Sequence, residues 1–293
     1  MKSGAASRNE TGHCPNMDDR RLRSNAAASP CGDAIAAAER ELSAWLSAQA
    51  GVPGVEVHAD CDATWVIHPG PVWSNCVTNV RFNRGSASAR LDEIIARYRA
   101  KKRGVGFWIS QFATPAEIPH LLKARGLRCR KHFPVMFKDF NDPHADVHSP
   151  KDIKFALLDD YATFDRHPHP YFGRVSTPLR RFEVARLICL NQKRPRRVWD
   201  FVAWHNGVPV SGCTMFRHGS VVGFHDVGTL PAFRRKGIAS ALMQEACLFA
   251  REHGCKSAVL LATGIGCGMY QRAGFRHVGS IAYWYRSFQS DGR

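Results

Sequence analysis

The apolar residues of the chain fall into two series of alternating extended and helical runs. DAIAAAERELSAWLSAQ places Ile35, Leu42, Trp45 and Leu46 near helical spacing, and the GVPG that follows ends the run. VEVHAD, ATWVIHP and VTNVRF read as short strands separated by Gly, Pro and Asn. RLDEIIARYRAKK predicts an amphipathic helix and GVGFWIS a buried strand. TPAEIPHLLKARG predicts a second helix, with Thr114 as N-cap and Gly126 as its stop, and LRCRKHFPVMFKDF a long strand. After FNDPHADVHSPKD, which has no apolar period, a second series begins. DIKFALL is a strand and 160–192 is largely helical. VWDFVAWHNG, VPVSGCTMFRHG and SVVGFHDVGTL form a three-strand meander whose first turn is Asn206-Gly207. GIASALMQEACLFAREHG is a helix stopped by Gly254, SAVLLAT a buried strand, GCGMYQRAG a short helix and FRHVGSIAYWYR a closing strand.

Both series end alike, with a helix closing on ARG or RAG and a strand of similar character after it. That echo suggests an internal duplication. The 293 residues suit two cores, and 44% hydrophobic content with seventeen Phe and seven Trp can fill them. The expected division is a flexible tail over 1–33, a first domain over 34–140, a linker over 141–151 and a second domain over 152–293. An α/β (α+β) fold is expected, each domain being a mixed, mostly antiparallel sheet flanked by helices.

The ten cysteines contain no C-x-x-C pair and no Cys-His spacing that closes a zinc site, so they read as free thiols of a reducing compartment. His167 and His169 have a spacing a metal could use, but His-Pro-His-Pro reads as a turn, and no metal is expected. No signal-peptide pattern opens the chain and no apolar run is long enough for a spanning helix, so a cytoplasmic location is expected.

Charge changes the picture more. The net +16 is uneven: 90–140 holds twelve Lys/Arg against four Asp/Glu, concentrated in 97–103 and 123–131. Another group, 174–197, holds eight basic residues against Glu183 alone and ends in KRPRR at 193–197. Such fields suit a polyanionic partner, whether a nucleic acid such as RNA or tRNA, a phosphorylated cofactor or a membrane surface, or simply a solvated surface.

One basic cluster has a more specific reading. In FRRKGIASALM, Arg234, Arg235 and Lys236 stand before Gly237, Ile238, Ala239 and Ser240, at the start of a helix without a good side-chain cap. Helix starts leave about four backbone N–H groups unpaired and carry roughly half a positive charge, which phosphate oxygens can satisfy.

The stretch VGTLPAFRRKGIASALMQEACLFAREHGCKSAVLLATGIGCGMYQRAGFRHVG resembles the acyl-CoA-binding core of the GNAT superfamily of N-acyltransferases. Arg234, Gly237 and Ala239 match the Gln/Arg-x-x-Gly-x-Gly/Ala signature, and Tyr270, Gly274 and Phe275 match the family's Tyr with its following Gly-Phe. The resemblance is strong over 221–285 and reasonable back to about 150. It implies acetyl-CoA as acyl donor, with pyrophosphate on the amides of 235–239 and pantetheine along Val227, Gly228 and Thr229. Transfer would be to a small-molecule or peptide amine. Tyr270 would be the general acid, and His225 or Asp226 the base in place of the family's frequent strand Glu. Strand alternation sends those two to opposite faces, so at most one should line the cleft. Cys267, close to Tyr270, reads as a packed thiol rather than a nucleophile. The first half resembles the inactive half of tandem GNAT proteins: SASARLDEI stands where a phosphate loop would be. Two other functions stay open, a transferase that uses or modifies an aminoacyl-tRNA or other RNA-linked substrate, and a CoA-binding protein without turnover.

Overall fold

A computed structural model describes residues 30–70, 74–142, 147, 148, 150–167 and 177–288. The expected tail over 1–33 therefore lies mostly outside the described residues, as do His169 and part of the 141–151 linker. The first series gives α1 (Pro30–Ala48), β1 (Glu56–Ala59), β2 (Thr64–Ile67), β3 (Cys76–Thr78), α2 (Ala87–Ala100), β4 (Val105–Ile109), α3 (Ile118–Ala124) and β5 (Arg128–Asp139). The second gives β6 (Lys154–Leu157), α4 (Tyr161–Asp165), α5 (Thr177–Gln192), β7 (Val198–His205), β8 (Val208–His218) and β9 (Val221–Thr229). A 3-10 turn at Pro231–Phe233 leads to α6 (Ile238–Glu252), β10 (Ser257–Leu261), α7 (Cys267–Arg272) and β11 (Arg276–Arg286).

All eleven strands form one sheet in the order β1-β2-β3-β4-β11-β5-β10-β9-β8-β7-β6. The order is nearly symmetric about the central antiparallel pair of β11 and β5. On one side β3 runs parallel to β4, and on the other β9 runs parallel to β10; the remaining neighbours are antiparallel. Spatial order departs from chain order at the centre. β5, from the first series, pairs with β10 of the second, while β11, from the second, pairs with β4 of the first. Each half lends its last strand to the other, and the two sheets become one.

The symmetry extends to the helix ends. Gly126 and Gly274 both take left-handed backbone, at φ +75° and +84°. Behind each, the next amide donates five residues back, Leu127 N to Leu122 O at 3.1 Å and Phe275 N to Tyr270 O at 3.0 Å. This six-to-one bond with a left-handed glycine is the Schellman stop that the sequence's ARG and RAG foreshadow.

Strand alternation divides the apolar residues between two faces. On one, α6 and α7 cover Val222, Phe224, Leu260 and Met136, while α2 and α3 cover Trp65, Val77 and Phe107. On the other, α1 lays Ile35, Ala38, Leu42, Trp45 and Leu46 across strands of both halves, including Val66, Trp108, Val135, Val259, Phe216 and Ile281. Burying one side chain of this size contributes about 1.5–3 kcal/mol, so the α1 face ties the halves together by its own apolar contacts.

Thr114 does not cap α3, which begins four residues later at Ile118. Its backbone is engaged elsewhere: Thr114 N donates to Val80 O at 3.1 Å and Thr114 O accepts from Phe82 N at 2.9 Å. Held as a strand partner, Thr114 cannot open a helix. The expected VTNVRF strand is correspondingly short, because Asn79 turns left-handed at φ +54°.

Candidate active site

β9 and β10 are paired only at Val221–Gly223 with Ser257–Val259. Beyond Gly223 the ladder between them stops, while β9 continues to Thr229 with β8 as its partner. A register shift opposite Gly212 and Thr214 places an extra residue in β9 at this point, and Asp226 takes φ +52°. Such a bulge bends its strand and increases its twist. The outcome is an open β9 edge along Val227, Gly228 and Thr229, braced from behind by Ser211, whose Oγ donates to Gly228 O at 2.8 Å.

That edge leads into the loop before α6. Arg235 and Gly237 are left-handed, at φ +62° and +79°, alternating with their neighbours. Alternation of this kind can turn consecutive N–H groups to one side. The first helical bond runs from Ala241 N to Gly237 O, and no side chain caps the helix. The amides of Ile238, Ala239 and Ser240 thus lie ahead of the ladder, where the helix dipole adds positive potential. Arg234 Nε donates to Thr229 O at 3.0 Å and closes the loop onto the strand. Among the described residues no acidic side chain pairs with Arg235 or Lys236; the Lys236 ammonium lies 5.2 Å over the Phe233 ring. A methyl group on Gly237 would meet nothing within 4 Å, so the loop is open to a bulky group. Amides ahead of the helical ladder, two cations without an acidic partner and an open strand edge together fit a phosphorylated, extended ligand.

Tyr270 lies on α7, within the core beneath α6. Burial pushes its phenol above the ordinary tyrosine value, and the Cys213 and Cys267 thiols add to the rise. The Tyr270 ring lies 6.0 Å from that of Phe275, which in turn lies 6.2 Å from Phe224 of β9. The phenol is protonated at neutral pH, as an ordinary tyrosine is, and the rise makes it a weaker acid than a free one. Cys267 is buried, with its Sγ 3.6 Å from Thr263 O.

His225 and Asp226 do not go to opposite faces. His225 stacks on Trp45 of α1, ring centroids 4.5 Å apart, and its Nε2 lies 2.8 Å from Glu41 Oε1. Asp226 meets Arg186 of α5 at 3.4 Å, and the Arg186 guanidinium lies 5.5 Å over the same Trp45 ring. The bulge breaks alternation, so both side chains face α1 and α5. Arg186 is also held by Glu183 at 2.7 Å. Burial pushes the Glu183 carboxyl up, against the pull of Arg186. The gap between β9 and β10 therefore has Tyr270 and α6 on one face of the sheet and Glu41, Trp45 and Arg186 on the other. Those last three were missed in the sequence because they come from helices without a motif.

Open grooves of 470 and 620 Å³ flank α1 but contain none of these residues. The basic tracts divide. Lys193 donates to carbonyls of Ala48 and Ala50, Arg196 to Val198 O, and Arg197 to Arg217 O, so these three side chains are engaged by the fold, while Arg194 is exposed. Residues 128–132 are exposed along β5.

These features define a class, an α+β fold with mixed sheets and a phosphate-ready helix start beside a splayed strand. Residues 159–275 match the family model of the acetyltransferase (GNAT) family. Over that stretch the chain is similar to the GNAT acetyltransferase family. A GCN5-related N-acetyltransferase from Kribbella flavida is 18% identical and covers 85% of this chain and 95% of its own, at a TM-score of 0.63. One from Sphaerobacter thermophilus is 19% identical, covering 90% and 95%, at 0.54. A tandem GNAT protein from the clavulanic acid biosynthesis pathway is 12% identical, covering 86% and 96%, also at 0.54. At these identities the likeness is one of fold, and it runs over most of the chain. No curated protein matches it in sequence. No helix among the described residues is long and apolar enough to cross a membrane.

Proposed function

We propose that the protein transfers an acetyl group from acetyl-CoA to an amine, through the gap between β9 and β10. The observation that carries this reading is the open β9 edge, which runs from the uncapped, cation-flanked start of α6 to the bulge at Asp226. Acetyl-CoA supplies an activated thioester. The amides of Arg235 to Ala239 hold its pyrophosphate, with the charges of Arg235 and Lys236 beside them. Val227, Gly228 and Thr229 offer main-chain partners to its extended arm, as a strand edge does to a peptide. A backbone amide at Val227 or Gly228 polarises the thioester carbonyl. Tyr270 gives its proton to the departing sulfur.

The amine enters from the α1 and α5 face, where His225 stands and where the donor loop does not. Asp226 is committed to Arg186, so His225 takes the role of base. The 34–140 segment acts as a wall of the acceptor cleft. A panel of amines, peptides and a charged tRNA, read by CoA release and product mass, tests the reading. A labelled amide product is expected. Acetyl-CoA binding with no product from any acceptor would instead identify a binding protein without turnover.

A further inference from the structure

Glu41 comes from α1, ahead of the first half of the sheet, yet it sits where the second half opens. A methyl group on Gly223 would lie 1.8 Å from Glu41 Oε1 and 2.5 Å from Oε2, so the carboxylate rests directly on that Cα. Gly223 is the last residue of β9 that pairs with β10. The carboxylate therefore marks the apex of the gap.

Its partner is equally placed. Glu41 is only 4% exposed, and among the described residues its hydrogen bond is the one to His225 Nε2 at 2.8 Å. Trp45, one turn further along α1, stacks on the imidazole at an interplanar angle of 15° and fixes the ring plane. Glu39, two residues earlier, shows what a purely structural acid on this helix looks like. It is held by Arg81 and by Ser110 Oγ at 2.8 Å, two partners that satisfy it. Among the described residues no Lys or Arg lies within ion-pair distance of Glu41, and a group that can titrate stands in front of it. Taking a carboxylate out of water with so little compensation is costly, which points to a use beyond packing.

The geometry points to Glu41 as the positioning residue for the general base. It holds His225 in the Nε2–H form and leaves the Nδ1 lone pair to take the amine's proton. A carboxylate only accepts, so the ring nitrogen facing it must carry the hydrogen. This rests on the transferase reading and completes its proton account. The amine nitrogen bonds to the carbonyl carbon and loses its proton to Nδ1. The carbon–sulfur bond breaks, its electron pair leaves on sulfur, and sulfur takes the Tyr270 proton. The imidazolium and phenolate left behind exchange one proton through solvent. Glu41 also stabilises the imidazolium while it lasts.

Histidine nitrogen NMR tests the pairing without turnover, with the His225 signal assigned by its loss in His225→Gln. At about pH 8.5, roughly two units above the ordinary imidazole value, the wild type should show a protonated Nε2 and a bare Nδ1. In Glu41→Met, which keeps volume but removes the acceptor, that preference should vanish. There kcat should fall by about 10²-fold or more, with KM for acetyl-CoA unchanged. A wild-type Nδ1–H tautomer overturns the proposal even if Glu41→Met does not fold. So does a folded Glu41→Met that keeps its kcat. A wild type that binds acetyl-CoA but acylates no amine overturns the transferase reading and the base role with it. The tautomer still reports whether Glu41 grips His225.

Discussion

The two halves of the sheet meet the same structural problem and solve it differently. In each, a strand runs parallel to its neighbour and then turns left-handed just past the last paired residue, at Asn79 in the first half and Asp226 in the second. In the second half the gap beyond stays open. In the first, the chain fills its own gap: Val80 and Phe82 exchange hydrogen bonds with Thr114, which occupies the place an extended ligand would need. The loop to the following helix also differs. Asp226 lies eleven residues before Gly237, but Asn79 only six before Gly85, so the first half has no room for the arginine-rich turn. Counting back four residues from the stop glycines, Leu122 stands where Tyr270 stands. The first half thus keeps the sheet, helix stops and packing while lacking each group on which the proposed chemistry rests. Under the proposed function, stability and catalysis rest on different residues of the same framework.

Tyr270 and Leu122 give the largest contrast. Tyr270→Phe should lower kcat by about 10²–10⁴-fold, the usual contribution of a positioned acid, with acetyl-CoA affinity within about twofold. Leu122 is fully buried, so Leu122→Ala should instead cost about 2–5 kcal/mol of stability, with kcat per folded molecule unchanged. Turnover surviving in Tyr270→Phe, or lost in folded Leu122→Ala, would break the division of labour between the halves. Denaturant titration and steady-state kinetics on the same samples decide it.

The exchanged strands carry a smaller contrast. Lys138 of β5 donates to Ala273 O, the carbonyl just before the stop glycine of α7, at 2.7 Å. Arg286 of β11 donates to Arg125 O, the carbonyl just before the stop glycine of α3. Each half therefore caps the other's helix with a cation, at the end where the dipole favours one. The two latches differ in depth: Lys138 is 2% exposed, and Arg286 is half-buried. Lys138→Met leaves a buried carbonyl without its partner and should cost about 1–3 kcal/mol, lowering kcat because α7 carries Tyr270. Arg286→Met should cost under about 1 kcal/mol, since water can replace the guanidinium, and should leave kcat alone. Equal effects on kcat would show that the latch serves the fold and not Tyr270.

Much of this was legible in the residues. FRRKGIASALM and MYQRAGF identify the α6 start and the α7 tyrosine, and the paired ARG and RAG stops announce the duplication, because local signals of backbone conformation stay close together in sequence. The exchange of last strands was not legible. β5 and β11 have similar patterns, and nothing in alternation says which neighbour each will choose. The facing of His225 and Asp226 was misread for a related reason: a bulge leaves no composition signature, and one extra residue reverses alternation. Glu41 left a faint signal. It falls on the apolar stripe of α1, three residues after Ala38 and four before Trp45, where a charge is out of place. Only the fold reveals that His225 is what it faces.

The smallest contrast sharpens the comparison most, because it concerns residues that look alike. Lys236 precedes Gly237 and Arg84 precedes Gly85, and two residues after each glycine stands an alanine, Ala239 or Ala87, near a helix start. Arg84 is paired with Glu117 on the surface, whereas Arg235 and Lys236 have no acidic partner among the described residues. The double change Arg235→Ala and Lys236→Ala should weaken acetyl-CoA binding about tenfold, since each charge at a helix start contributes roughly 0.3–1 kcal/mol, with more from hydrogen bonds to phosphate. The loss should shrink as salt rises, because these charges are exposed. Arg84→Ala should change stability by less than about 0.5 kcal/mol and acetyl-CoA binding not at all. Calorimetry should find a single acetyl-CoA per chain. A second binding event that disappears in Arg84→Ala would mean that the first half still holds phosphate and that Thr114 gives way to let the ligand in.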